Sequence, residues 1–272
     1  MKMKGKCVFT YQIEYPTPVS MMLRPRREGS QSVYKEGFEI EPSVHFTEFT
    51  DNYGNSCQRA TLPPGTVVIT SQVEVDVLET PPLPDPRPAF VPIEELPDDA
   101  MLYILPSRYC QSDLSEIHKL ALEIVQDLTP GYEQVEAIRT WVHQNIEYKY
   151  GVTNSNTTAL DLANNRTGVC RDFTHLVIAL CRSLNIPTRM TVGYLDKLEI
   201  TDLHAWVEAY LGDQWYTFDS VQDHTHGYRI EIGHGRDAAD VAMVTQFGSM
   251  DLKSLDVETE LLEEEGAVAQ NA

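Results

Sequence analysis

Hydrophobic and polar positions alternate with a period of two at the start of the chain. In Cys7-Val-Phe-Thr-Tyr-Gln-Ile-Glu-Tyr15 the odd positions are apolar or aromatic and most even ones polar. That alternation predicts a half-buried β-strand. Val73, Val75 and Val77 alternate with Glu74 and Asp76 in the same way, and Asp51-Asn-Tyr-Gly-Asn55 is a dense turn signal between two such runs. Residues 1–80 are therefore expected to form an all-β antiparallel sandwich. Residues 81–98 hold Pro81, Pro82, Pro84, Pro86, Pro88, Pro92 and Pro97. Prolines this dense continue neither a ladder nor a helix, so this stretch is expected to be a stiff linker between domains.

The period then changes. Leu114, Ile117, Leu120, Ala121, Ile124, Val125 and Leu128 fall at helical spacing, with Ser112 or Asp113 as the expected cap. Val135, Ile138, Trp141, Val142 and Ile146 predict a second amphipathic helix, and Thr158 a cap for a short third one. In the next helix Phe173, Leu176, Val177, Leu180 and Leu184 share a face, and Ile178, Ala179 and Cys181 extend the apolar surface almost all round, as in a buried helix. Asn185 before Ile186-Pro187 is its expected stop. Strands return at 189–195, 203–211 and 214–219. The core is expected over 99–250. Residues 251–272, dominated by Asp and Glu, are expected to form an acidic tail with one short strand and a mobile end.

Cys170, in Thr167-Gly-Val-Cys-Arg-Asp-Phe-Thr-His-Leu176, falls in the first turn of the buried helix. Unpaired amide donors and the positive end of the helix dipole favour an anionic sulfur there. The backbone of Cys170 is also a candidate oxyanion donor. His175 is five residues on and points away at 3.6 residues per turn, so it is read as a packing residue; Asp172 suits the dipole. In Asp202-Leu-His-Ala-Trp-Val-Glu-Ala-Tyr-Leu-Gly-Asp-Gln-Trp-Tyr-Thr-Phe-Asp219, Gly212-Asp213 predicts a two-residue hairpin turn. Leu211 then faces Gln214. Asp219 lies opposite Trp206, one diagonal step from His204 on the same face, at ~7–8 Å. Cys170, His204 and Asp219 thus make a candidate nucleophile, base and orienting carboxylate. Trp206 is a candidate wall of the substrate site. The second oxyanion donor is unassigned, with Tyr150 and Asn164 upstream.

These motifs, with His204-Ala-Trp-Val-Glu-Ala-Tyr210 and Trp215-Tyr-Thr-Phe-Asp219, resemble the core of bacterial transglutaminase-like proteins, often described as cysteine proteases. The resemblance implies a papain-like α+β core and assigns the catalytic roles to Cys170, His204 and Asp219. Tyr11 to Pro16, Leu23 to Arg26 and the Asp51–Asn55 turn are similar to the β-rich region that precedes this core in many bacterial members. Gly235 to Val241 resembles the segment after the triad. Relatives often follow the aspartate with Pro-Thr-Asn, whereas this chain has Ser220-Val221-Gln222.

A formal net charge of -20 argues against nucleic acid and anionic membrane as partners and favours solubility. Five scattered cysteines with no apolar leader suggest free thiols in the cytoplasm. No EF-hand spacing appears, and His224, His226, His234 and Asp223 match no structural zinc pattern, so neither metal nor cofactor is expected. The expected activity is thiol-dependent amide hydrolysis of a protein or peptide through a thioester. Glutamine-to-amine transfer and a non-catalytic peptide-binding module are the alternatives.

Overall fold

In the computed structural model, all residues are described except 28, 30, 81–85, 197, 199–201 and 263–272. The strands are β1 (Lys2–Ile13), β2 (Thr17–Met21), β3 (Gln31–Glu41), β4 (Phe46–Thr50), β5 (Ser56–Leu62), β6 (Gly65–Val77) and β7 (Glu79–Thr80) in the first part. The second part contains α1 (Ser115–Val125), α2 (Tyr132–Asn145), β8 (Glu147–Tyr148), α3 (Ala159–Asn165), β9 (Thr167–Gly168) and α4 (Cys170–Ser183). It continues through β10 (Thr188–Leu195), β11 (His204–Leu211), β12 (Gln214–Phe218), β13 (Gly227–Gly235), β14 (Val244–Gln246) and β15 (Met250–Leu262). The fold is α+β, with a β-rich unit beside a helix-and-sheet core. No helix of the described residues is long and apolar enough to cross a membrane.

The β-rich unit has two four-stranded antiparallel sheets, ordered β15-β1-β6-β3 and β14-β2-β5-β4. Alternation along β1 buries Met3, Cys7, Phe9, Tyr11 and Ile13, as the period of two predicts. The first 80 residues do not complete either sheet, because β14 and β15 come from the far end of the chain. β15 runs 13 residues and pairs with β1 from Lys2↔Leu262 to Ile13↔Met250. The expected short strand is therefore a full sheet edge, and residues 244–262 belong to the β-rich unit. The mobile end expected at the acidic terminus lies outside the described residues. The same holds for the linker prolines Pro81, Pro82 and Pro84.

The later linker lies on the core: Tyr132 donates its backbone N–H to Pro88 O at 3.1 Å and Phe90 to Pro130 O at 3.3 Å. The two units share one hydrophobic core. Gly5 on β1 is packed so closely that a Cβ would meet the buried Tyr194 ring of β10 at 2.9 Å. The Asp51–Asn55 turn reaches across as well. Asn55 Oδ1 accepts from His234 N at 3.0 Å while its Nδ2 donates to His234 O at 2.9 Å, and Tyr53 Oη donates to Asp240 at 2.7 Å. At the start of β3, the Gln31 amide exchanges two 2.8 Å hydrogen bonds with the Glu231 backbone, as an added strand residue would.

The core sheet is ordered β12-β11-β10-β13-β7. α4 packs on β10 and β11, and on α1, α2 and α3. It is buried from Asp172 to Arg182, matching its nearly all-round apolar surface. Arg182 satisfies its buried guanidinium on four acceptors: Thr188 O, Leu105 O, Ser107 Oγ and Arg236 O. Asn185, at φ 61°, ends the helix by turning left-handed. α1 starts at Ser115 without the expected Ser112 or Asp113 cap, since Leu114 holds that position. Thr158 does cap α3, in a capping box with Asp161.

Gly5→Ala is expected to lower stability by about 1–3 kcal/mol through overpacking on Tyr194. Urea unfolding checks this, with an unchanged m-value showing that the transition still covers the same surface. Removing residues 250–262 strips the whole outer strand from β1 and should leave an aggregation-prone chain, read as loss of the monomer peak in size-exclusion chromatography.

Candidate active site

α4 starts at Cys170, with Val169 in extended conformation before it. Asp172, 1% exposed, is the anchor of this start. Its Oδ2 accepts from Val169 N at 3.1 Å and Thr153 Oγ1 at 2.7 Å, and its Oδ1 from the Arg171 guanidinium at 2.7 Å. Asp172 therefore does more than suit the dipole, because it fixes the turn that presents the sulfur. The Cys170 backbone N–H lies in the first turn, where no earlier helical carbonyl is available to it.

The hairpin forms in the expected register. Leu211 pairs with Gln214 and Val207 with Phe218. Extending that ladder brings Asp219 to the diagonal position from His204, and His204 Nε2 meets Asp219 Oδ2 at 2.8 Å. Gly193 of β10 lies opposite His204, and an added Cβ there would run into Ile230 O. The strand behind the imidazole thus needs a glycine. With Nε2 on the carboxylate, Nδ1 is the nitrogen left for Cys170, whose side chain is a hydrogen-bond partner of the ring.

Asp219 is fully buried and both its oxygens accept hydrogen bonds. Oδ2 also takes Arg229 Nη2 at 3.3 Å, and Oδ1 takes Val221 N at 3.1 Å. Burial alone would raise this carboxyl, but the His204 ring, Arg229 and the Val221 amide outweigh it and hold it well below the usual carboxylate range. Burial would likewise discharge His204, yet Asp219 and the Cys170 contact dominate and lift the ring to about 10. The site favours an imidazolium beside the sulfur. The Ser220-Val221-Gln222 departure leaves the carboxylate well held: Arg139, buried on α2, donates to Asp219 O at 3.3 Å and Gln222 O at 3.2 Å.

Cys170 and His204 line one cleft of about 320 Å³, with Tyr148, Tyr150, Leu198, Asp202, Leu203 and the Val221–Asp223 segment. Trp206 does not line it. At 2% exposure it lies flat beside the His204 ring, with centroids 6.3 Å apart, and the Arg229 guanidinium sits 5.7 Å from its ring. The expected substrate wall is a packing support for the histidine, because the His204 ring and the Arg229 guanidinium lie against it on its face of β11. Tyr150 reaches the cleft, whereas Asn164 is exposed on α3 and does not line it.

Other histidines have structural partners. His175 Nε2 accepts from Ala238 N at 3.1 Å and the ring stacks on Tyr109, with burial lowering it to about 4. His234 is buried against Glu231 and Arg189, apart from the stacked His224–His226 pair. The Gly235–Val241 segment acquires a role here. Asp237 accepts from Tyr109 N at 2.8 Å, while Asp240 pairs with Arg236 at 2.8 Å and accepts from Tyr53 of the β-rich unit at 2.7 Å, tying the α4 surroundings to that unit. Arg229 and Tyr148 carried no sequence signal: Arg229 arrives from β13, and Tyr148 is one aromatic in a short apolar-polar run.

The His204–Asp219 pair should shape stability in alkali. A ring raised to about 10 in the fold and ~6.5 unfolded contributes fully below pH ~6.5, and that contribution disappears as pH rises through about 10. In a Cys170→Ala background, which removes the competing thiol titration along with the sulfur's share of the shift, Asp219 still holds the ring above its unfolded value, so unfolding free energy should fall as pH rises above ~7. Adding Asp219→Asn should flatten that slope. Urea titrations at several pH values measure both.

The region 118–220 matches the family model for the transglutaminase-like superfamily. A crystal structure from Cytophaga hutchinsonii, described as a "putative cysteine protease", superposes with a TM-score of 0.90 at 36% identity, covering 98% of this chain and 92% of that one. The uncharacterized protein ML0607 of Mycobacterium leprae is 29% identical over 254 residues, spanning 85% of this chain and 88% of its own length. The uncharacterized protein YebA of Bacillus subtilis is 27% identical over 161 residues, which are 50% of this chain and 22% of YebA. With its helix-borne cysteine, paired hairpin and β-rich partner unit, this chain belongs to the transglutaminase-like superfamily, among its bacterial members.

Proposed function

We propose that the protein is a thiol-dependent amidase or peptidase, using Cys170 as nucleophile, His204 as acid–base and Asp219 as the orienting carboxylate. The observation that carries this reading is the continuous line of contact from the buried Asp219 through the His204 ring to the Cys170 thiol at the cleft floor. The Cys170 sulfur attacks a substrate carbonyl carbon. The C–S bond forms as the carbonyl electron pair moves onto oxygen. His204 then gives its proton to the leaving nitrogen as the C–N bond breaks, and a thioester remains. Water attacks the thioester, His204 takes a proton from it, and the sulfur leaves with its electron pair. Asp219 keeps its charge throughout and stabilises the imidazolium. The substrate is a protein or peptide amide, which a cleft of about 320 Å³ admits as one side chain or a short backbone segment.

One feature favours transfer to an amine as the second reading. Asp202 and Asp223 place carboxyl groups on the cleft wall, where a lysine ammonium would be attracted. The hydroxyls of Tyr148 and Tyr150 on the cleft wall can equally hold a water, which supports hydrolysis first. The cytoplasm is the proposed compartment, in keeping with five unpaired thiols.

Iodoacetamide labelling followed by mass spectrometry tests the reading. Burial pushes the other four thiols up, Cys7 and Cys57 to about 11 and Cys110 and Cys181 to about 12. Cys170 should be labelled first at pH 7, and His204→Ala should slow that labelling by roughly tenfold or more. Labelling of Cys170 indifferent to His204 would overturn the proposal. On a blocked glutaminyl peptide, Cys170→Ala should lose ammonia release by roughly 10³-fold or more. Added hydroxylamine separates the readings: hydroxamate in excess of acid indicates transfer.

A further inference from the structure

The Cys170 N–H, the expected oxyanion donor, has a second hydrogen-bonding group beside it. β8 and β9 form a two-residue parallel ladder in which Tyr148 pairs with Gly168, two residues before Cys170. Lys149 N donates to Gly168 O at 2.9 Å and Glu147 N to Arg166 O at 2.8 Å, so the backbone on both sides of Tyr148 is clamped to the segment entering α4. The Tyr148 ring rests on Phe173, with centroids 5.8 Å apart. Its hydroxyl lies against the Cys170 backbone N–H and close enough to the sulfur for a thiolate there to disfavour its ionisation. Both groups line the cleft.

We infer that the Tyr148 hydroxyl is the second oxyanion donor, a catalytic residue that with the Cys170 N–H holds the carbonyl oxygen as the sulfur adds to its carbon. This rests on the acyl-transfer reading above. As the C–S bond forms, the carbonyl pair becomes a lone pair on oxygen. Tyr148 O–H and Cys170 N–H each donate a hydrogen bond to it, and no proton moves. The pair returns when the amine leaves. In the resting site the Tyr148 hydroxyl donates to Tyr150 Oη at 3.3 Å, a long neutral contact, and Tyr150 in turn reaches Asp202 at 3.4 Å. A charge-assisted bond to an oxyanion is stronger, so the hydroxyl hydrogen turns toward the substrate oxygen. Burial, Cys170 and Tyr150 together keep the phenol protonated, as a donor must be. Tyr150 is the poorer candidate because its hydroxyl is directed to Asp202, and Asn164 lies outside the cleft.

The test uses the full chain and p-nitrophenyl acetate, with turnover expressed per Cys170 that iodoacetamide still labels, so that partial unfolding does not imitate lost chemistry. Tyr148→Phe should reduce kcat by roughly 10²-fold or more with KM nearly unchanged. The rate of Cys170 alkylation, which forms no oxyanion, should stay within about twofold of wild type. Turnover close to wild type in Tyr148→Phe, with wild-type turnover still dependent on Cys170, overturns Tyr148 as donor and leaves the acyl-transfer reading standing. Turnover and alkylation falling together overturn it in favour of a positioning role on the sulfur. Wild-type turnover indifferent to Cys170→Ala overturns both.

Discussion

The site depends on a buried negative charge. Asp219 is fully enclosed, and an uncompensated carboxylate there would be untenable. It is held by groups from three parts of the chain: the His204 ring on β11, the Arg229 guanidinium on β13 and the Val221 amide just beyond it. Each contact lowers the energy of the ionised carboxyl, and the ionised carboxyl raises the imidazole. Removing one member exposes the others to the full cost of burial. This explains why the neighbourhood is built from fixed groups: Trp206 flat beside the ring, Gly193 behind it, and Arg139 holding the backbone that follows the aspartate.

The β-rich unit bears on this arrangement although it adds no residue to the cleft among those described. Glycine-tight packing of β1 on Tyr194, the Asn55 bridge to His234 and the Gln31 bridge to Glu231 all land on β10 and β13. Those strands carry Gly193 and Arg229. The first unit therefore braces the face of the core sheet from which the carboxylate's guanidinium partner projects. Closing its own sheets with β14 and β15 ties the two ends of the described chain together, so the core is inserted between two segments of one unit.

Several elements were legible because their signals are local. The buried helix of residues 170–183 shows in its apolar periodicity and its Asn185 stop. The His204–Asp219 relation follows from a two-residue turn, since a hairpin register is set by its loop. Trp206 was misread because alternation assigns a residue to a face without saying whether that face meets solvent. The tail was misread because acidic residues on a solvent-facing strand edge look like a solvated end; half of β15 faces water along its length.

By itself, the sequence determined the helix start that presents Cys170, the register that pairs His204 with Asp219, and the membership of a family that both motifs carry. Tertiary structure decided which strands complete the β-rich sheets, that Arg229 counters Asp219, and that Tyr148 stands over the Cys170 amide. The physical reason is range. Turn geometry and helical periodicity act between residues a few positions apart, whereas ladder completion, charge compensation and cleft lining join residues tens to hundreds of positions apart, and only the packed chain brings those together.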